Sequence, residues 1–446
     1  MSKSELRKSD FRKFVPEMGK AFHFGMTTQQ FYDAVIPERG PRERAGVQKY
    51  LSTPFKGITT DGNIVPGLFA LRPERAPTRE ILKAVSSLLE QLSPDQKEMT
   101  CLPLESRERE LWQNSIARYE NFGLRLDEVP GVLQEAAMAV VKTSLSAAGY
   151  EKARNLMKLN AFLGELVGAP QLLSEWSYQL HIFGEPSLTE PWGWQISGHH
   201  LIITCFILGE QMTLTPTFMG AEPRYADVGK YAGIVAFEDE ERLGLEFVRN
   251  LSVEQKRKAI FSDSLLPDRL PPGRHQGVDG LILGGRQKNS AVIPYEGIRG
   301  AELGPQQRQA LLDLTQCYLS TLPSGPLAAR MADVERHFAQ THFCWAGGLD
   351  DESAFYYRIQ SPVVMIEFDH QNGVVLNNPE PKKFHTHTIV HMPNGNDFGM
   401  DLLRLHYETA PHHQAAHHSH SHDNHSHHSH SHRAPARPHL RFDGHD

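Results

Sequence analysis

Between residues 78 and 168 apolar positions recur every three to four residues, the spacing of helices that each bury one stripe. Thr78 stands where it can cap "REILKAVSSLLEQL", and Ser93-Pro94-Asp95-Gln96 has the form of a capping box with proline at the first helical position. In "GVLQEAAMAVVKTSL" the residues Val132, Leu133, Ala136, Val140 and Val141 fall on one stripe, and "YEKARNLMKLNAFLGELVG" repeats the habit. The stretch predicts a mainly helical layer.

The pattern changes at "EPWGWQISGHHLIITCFILGEQMTLTPTF". Leu201 to Leu208 is a short apolar run, broken by Gly209 before "MTLTP" resumes alternation, which predicts a hairpin. Helices return at "SVEQKRKAIF", where Ser252 and Gln255 form a second capping box, and at "QQRQALLDLTQCYL". Strands follow in "AFYYRIQSPVVMIEFDHQNGVVLNN" and "FHTHTIVHM", and "GNDFGMDLLRLHY" reads as a closing helix capped by Asn396 or Asp397. Helices first, then paired strands without regular strand-helix alternation, predict an α+β fold: a helical layer on a mainly antiparallel sheet. The strand groups near 190–217 and 354–392 are expected to pair in one sheet. The expected organisation is an extension over 1–45, a single α+β domain over 46–410 and a tail over 411–446.

Composition narrows the function. Hydrophobic residues are 39% of the 446, enough for a sizeable core, and the net charge of -7 comes without basic clusters, which excludes a nucleic-acid binder. The charged start and the lack of an 18-residue apolar run predict a cytoplasmic protein without a membrane partner, and the four scattered cysteines suit a reducing compartment. Of the 25 histidines, 13 lie beyond Pro411. That segment has little apolar surface to set against its ordering entropy, so it is expected to be disordered. His417, His418, His420, His422, His425, His427, His428, His430 and His432 within it can bind Zn, Ni or Cu. The alternative for this tail is a solubilising or pH-responsive appendage.

A second histidine group lies inside the domain, in "KFHTHTIVHMPNGND". Alternate residues of a strand share a face, so His385 and His387 point one way, as do Glu367 and Asp369 on the preceding strand. If these strands are antiparallel neighbours, imidazoles and carboxylates can converge as an open site for a divalent ion, with Zn, Fe, Mn, Ni and Cu unresolved. In "GWQISGHHLIITC" His199 shares parity with Gln195 and Ser197, whereas His200 shares it with Trp192, Trp194 and Ile196. His199 is therefore the expected third histidine, and His200 a core-edge imidazole. The bland reading of every one of these side chains is a hydrogen-bonded or exposed group. His391 has the right parity but precedes a Pro-Asn-Gly turn. No nucleophile elbow, phosphate loop or H-E-x-x-H motif is present, and Cys344 beside His342 is more simply a buried structural thiol.

The blocks "TPFKGITTDGNIVPGLF", "EPWGWQISGHHLIITCFILGEQMTLTPTFMGAEP", "VIPYEGI", "FYYRIQSPVVMIEFDHQNGV" and "HTHTIVHMPNGNDFGMDLLRLHY" resemble those of the family labelled domain of unknown function 3500, colinearly from about Tyr50 to Tyr407. The resemblance names a domain without a reaction. Its W-x-W-Q-x-x-G-H-H-L, I-E-F-D-H and H-x-H-T blocks fall on Trp192 to Leu201, Ile366 to His370 and His385 to Thr388. It implies that arginine often replaces His391, which argues against His391 as a ligand. The polyhistidine tail falls outside it.

These readings lead to an expected function: a metal-dependent hydrolase or oxidoreductase acting on a small organic substrate. His199, His385, His387 and Glu367 would hold the ion, His370 or Asp369 would carry protons, and Trp192, Trp194 and Gln195 would orient the substrate. The alternatives are a metal-handling protein that stores or delivers Zn, Ni or Cu, and a non-catalytic small-molecule binding domain.

Overall fold

The computed structural model describes residues 10–17, 26, 28–112, 114–117 and 122–410. The polyhistidine tail, with its expected disorder, lies outside the described residues. The helices are α1 (Thr28–Leu51), α2 (Thr78–Gln91), α3 (Pro94–Thr100), α4 (Gly131–Ser144), α5 (Ala147–Leu166), α6 (Glu238–Arg249), α7 (Val253–Ala259), α8 (Pro305–Leu319), α9 (Ser324–Arg336) and α10 (Met400–Thr409). The strands are β1 (Cys101–Leu102), β2 (Leu124–Arg125), β3 (Tyr178–Phe183), β4 (Trp192–Gly198), β5 (Leu201–Leu208), β6 (Gln211–Thr213), β7 (Thr217–Ala221), β8 (Ile260–Ser262), β9 (Ile298–Arg299), β10 (His342–Gly347), β11 (Phe355–Gln360), β12 (Met365–Gln371) and β13 (Lys382–His391).

The helix starts follow local chemistry. Both capping boxes form: Ser93 Oγ accepts from Gln96 N at 3.2 Å, and Ser252 Oγ accepts from Gln255 N at 3.2 Å. Thr78 does not cap α2, because its hydroxyl donates to Gly209 O across the interface. On α4, Leu133, Val140 and Val141 are buried while Val132 is exposed, so the stripe is narrower than the sequence suggests. Asp397 does not cap α10 either; its carboxylate turns back to accept from Met392 N at 2.8 Å. No helix among the described residues is long and apolar enough to cross a membrane.

The strands form one sheet in the order β1-β3-β4-β5-β7-β13-β12-β11-β10-β8, with β2, β6 and β9 attached beside β3, β5 and β10. Pairing is antiparallel except where β1 meets β3 and β8 meets β10. The two strand groups join where β7 pairs with β13, Gly220 opposite His387 and Phe218 opposite Ile389. This is the α+β fold expected, a helical layer on a mainly antiparallel sheet.

The two faces differ in chemistry. Trp194, Ile203, Ile366 and Tyr357 lie on the apolar face, under helices: Trp194 Nε1 donates to Ser144 Oγ on α4 at 2.9 Å, and Tyr357 Oη to Glu240 O on α6 at 2.8 Å. The other face carries Tyr356, Asp369, His387 and Gly220 in one transverse row of paired residues. Irregular segments cover it instead of helices. Leu281, Leu283 and Gly284 donate backbone N–H groups to Asp369 and Glu367, so the covering chain is tied to the sheet by buried carboxylates.

Candidate metal centre

Three imidazoles meet on the loop-covered face, from two places far apart in the chain. His385 and His387 come from β13, and His200 comes from the two-residue turn between β4 and β5, where Gly198 pairs with Leu201. All three are at least 97% buried. Their Nε2 atoms face one another: His387 lies 3.1 Å from His385 and 3.2 Å from His200, and all three potential ligand atoms fall within 4.8 Å of one another.

Proton accounting makes this contact unusual. His385 Nδ1 donates to Asn372 O at 2.7 Å, a partner that can only accept, which fixes Nε2 as the nitrogen turned toward His387. His387 Nε2 then faces two imidazole nitrogens with at most one hydrogen, which cannot align with both. Burial, followed by the neighbouring histidines, holds His387 well below the ordinary imidazole range, and the same is true of His200. The rings of His387 and His200 are therefore neutral. A cation among them would accept three lone pairs at once, and imidazole nitrogens at ~2.0–2.1 Å from one ion lie ~3.0–3.4 Å apart, a spacing that the two contacts of His387 match while the His200–His385 pair is held only within 4.8 Å.

The surroundings hold these rings in place. His200 has a left-handed backbone (φ 65), its N donates to Asn114 Oδ1 at 2.7 Å and its O accepts from Gly220 N at 2.8 Å. A Cβ on Gly220 would stand 2.8 Å from His387 Cδ2 and 3.0 Å from His200 Cδ2, so a larger residue there would collide with two of the rings. Behind His385, Glu222 Oε1 lies 3.7 Å from Nδ1, and three backbone N–H groups, of Val374, Val375 and Leu376, fix that carboxylate. Such carbonyl and carboxylate partners on the far ring nitrogen are the usual support of a metal-ligating histidine.

The other expected residues fall elsewhere. His199 stacks on His200 with centroids 3.8 Å apart, while its Nδ1 meets Asn160 Oδ1 at 2.9 Å. Parity counted forward along β4 fails because the chain reverses at this turn. Counted back from β5, His200 shares a face with Ile202, opposite Phe218, and that is the face of His387. Glu367 shares that face, but its carboxylate is occupied by Leu283 N, Gly284 N and Tyr356 Oη, the last at 2.6 Å. Asp369 is the cross-strand partner of His387, yet its Oδ2 accepts from Leu281 N and Gln371 Nε2, and burial raises it well above the carboxylate range.

His370 sits on the helical face. Its Nδ1 accepts from Phe355 N at 3.0 Å, its Nε2 meets Glu241 at 3.3 Å, and burial lowers it to about 4. Trp192 and Trp194 also face the helices, Trp192 Nε1 donating to Ser187 O, so neither walls the histidine group. Gln195 is on the loop-covered face but bonds Arg109 O and Thr204 Oγ1. His391 has acceptors on both nitrogens, Asp397 at 2.6 Å and Gly284 O at 2.7 Å, and is held above its ordinary range: Asp397 outweighs burial, making it a cation and no ligand. The tail histidines from His417 to His432 lie outside the described residues.

Comparison with known proteins agrees with the blocks read from the sequence. No curated protein and no solved structure matches the chain. Residues 74–400 match the family model described as protein of unknown function (DUF3500), a span that contains His200, His385 and His387 together with their supporting residues. The chain belongs to this DUF3500 family.

Proposed function

We propose that the protein is a metal-dependent enzyme acting on a small organic substrate, with His200, His385 and His387 as the ligands of one divalent ion. The reading rests on the three inward-facing Nε2 atoms, a buried arrangement in which His387 Nε2, with at most one hydrogen, cannot bond both of its neighbours. Three histidines leave at least one position free, and a bound ion would supply Lewis-acid activation of water or a site for dioxygen, so hydrolysis and oxidation both remain open. The chain's part is to keep the imidazoles aligned: Asn372 O and Glu222 address His385, and the tight turn held by Asn114 and Gly220 presents His200. The free cysteines Cys101, Cys205, Cys317 and Cys344 suit a cytoplasmic location.

The histidine-rich tail favours a second reading, in which the protein stores or delivers Zn, Ni or Cu. Elemental analysis of the full chain and of a chain ending after Ala410 separates the two. The enzyme reading expects one tightly held ion in the shortened chain; loss of all bound metal on shortening would instead favour metal handling.

A further inference from the structure

The second half of the sheet repeats the first. The chain runs α2-α3-β1-β2-α4-α5-β3-β4-β5-β7, with β6 added before the last strand, and then α6-α7-β8-β9-α8-α9-β10-β11-β12-β13. Taken from its two edges inward, the sheet is β1-β3-β4-β5-β7 and β8-β10-β11-β12-β13. In each half the edge strand pairs parallel and the others antiparallel, and the registers correspond. Cys101 lies opposite Ile182 as Ile260 lies opposite Trp345, and Leu124 opposite Leu180 as Ile298 opposite Phe343. Trp194 lies opposite Cys205 as Tyr357 lies opposite Phe368.

The amino acids agree at matching places. Leu92-Ser93-Pro94-Asp95-Gln96-Lys97 and Leu251-Ser252-Val253-Glu254-Gln255-Lys256 are the two capping boxes, on α3 and α7. Gly123 to Val129, "GLRLDEV", answers to Gly297 to Leu303, "GIRGAEL", and both glycines are left-handed, at φ 98 and φ 91. Trp194 bonds Ser144 on α4, and its counterpart Tyr357 bonds Tyr318 on α8. The seam is made of equivalent parts too. β7 pairs with β13, and the α4–α5 turn meets the α8–α9 turn, where Ser146 N donates to Thr321 O at 2.9 Å. Contact of like with like is the mark of a two-fold axis.

We infer that residues 78–221 and 238–391 are duplicated copies of one module, docked about a pseudo-dyad as the subunits of a dimer dock, and that the histidine centre is a site between them. His200 comes from the first module, and His385 and His387 from the second. The copies have diverged at these positions. Ser361 N donates to Val364 O at 2.8 Å across the turn that corresponds to Gly198–Leu201, which puts Val363 at the place of His200. Thr213 opposite Phe206 corresponds to His387 opposite Asp369, so the pseudo-dyad yields one centre and not two. The consequence for an ion rests on the metal reading above: bound by both modules, it is held only while they are docked, and so ties the two halves together.

Hydrogen exchange of the full chain, read by mass spectrometry across a urea series, tests this. Without metal, β3–β5 and β10–β12 should lose protection in two separate steps, the less stable module with about half the denaturant slope of the whole chain. Loss of protection in both at one midpoint and one slope would overturn the two modules. With zinc buffered at a hundredfold excess over its Kd, amides of β7 and β13 alike should exchange ~100-fold more slowly. His200→Ala should remove that slowing, and Val363→Ala, the equivalent change in the second module, should keep it. Slowing confined to β13, or slowing that survives His200→Ala, would put the ion inside one module and overturn the site between them. Zinc that slows neither strand would overturn the bridging ion along with the metal reading, while the metal-free urea series decides the duplication independently.

Discussion

Replacing His387 by alanine should change stability by an amount that depends on metal, and the size follows from the site. His387 Nε2 is the atom shared by both close contacts, so its removal leaves two imidazoles that no longer converge. With a divalent ion at a thousandfold excess over its Kd, ligation by the native state adds ~4 kcal/mol. A body of roughly 400 residues has an unfolding entropy of ~0.8 kcal/mol/K at ~2.1 cal/mol/K per residue, so the ion should raise the wild-type midpoint by ~5 °C. Without metal the variant should differ from wild type by only ~2 °C, because lost ring packing and the relieved nitrogen-nitrogen contact oppose one another. Differential scanning calorimetry on chains ending after Ala410, with and without Zn, reads all four midpoints while keeping the tail out of the signal. An equal metal-induced shift in His387→Ala would refute the reasoning.

Other perturbations separate the site from its frame. Glu222→Gln keeps the shape but removes the charge behind His385, and should weaken ion binding ~10- to 100-fold in a chelator competition. His370→Ala should cost ~1–3 kcal/mol of stability, because Phe355 N loses its acceptor, and should leave metal content unchanged by elemental analysis. His391→Asn should cost ~3 kcal/mol at pH 6 in denaturant titrations, because Asp397 is left buried with less compensation. The folded pKa of His391 is raised, so its contribution is full below its unfolded value near 6.5 and is lost as pH rises through the folded value. The gap between wild type and His391→Asn should therefore narrow from pH 6 to pH 9; a gap that widens would contradict the charged pair.

The fold was legible where local patterns decide it. The capping boxes at Ser93 and Ser252 formed as read, and the alternation of β12 and β13 correctly put Asp369 and His387 on one face. What failed was parity carried through a reversal: His199 and His200 form the turn itself, where the left-handed conformation of His200 breaks the alternation on which the choice of His199 rested. Counting from β5 as well as from β4 would have exposed the conflict. Sharing a face did not mean sharing a site either, since Glu367 points its oxygens at backbone N–H groups of a covering segment more than 80 residues away, which no local pattern announces. Glu222 and Asn372 lie outside the strands and reach His385 only through tertiary folding.

X-ray absorption on the chain ending after Ala410, loaded with one equivalent of Zn, tests the centre most directly. The three-histidine assignment predicts one bound ion with three imidazole nitrogens at ~2.0–2.1 Å, reduced to two in His200→Ala. A spectrum without imidazole scatterers, or one that His200→Ala leaves unchanged, would contradict it.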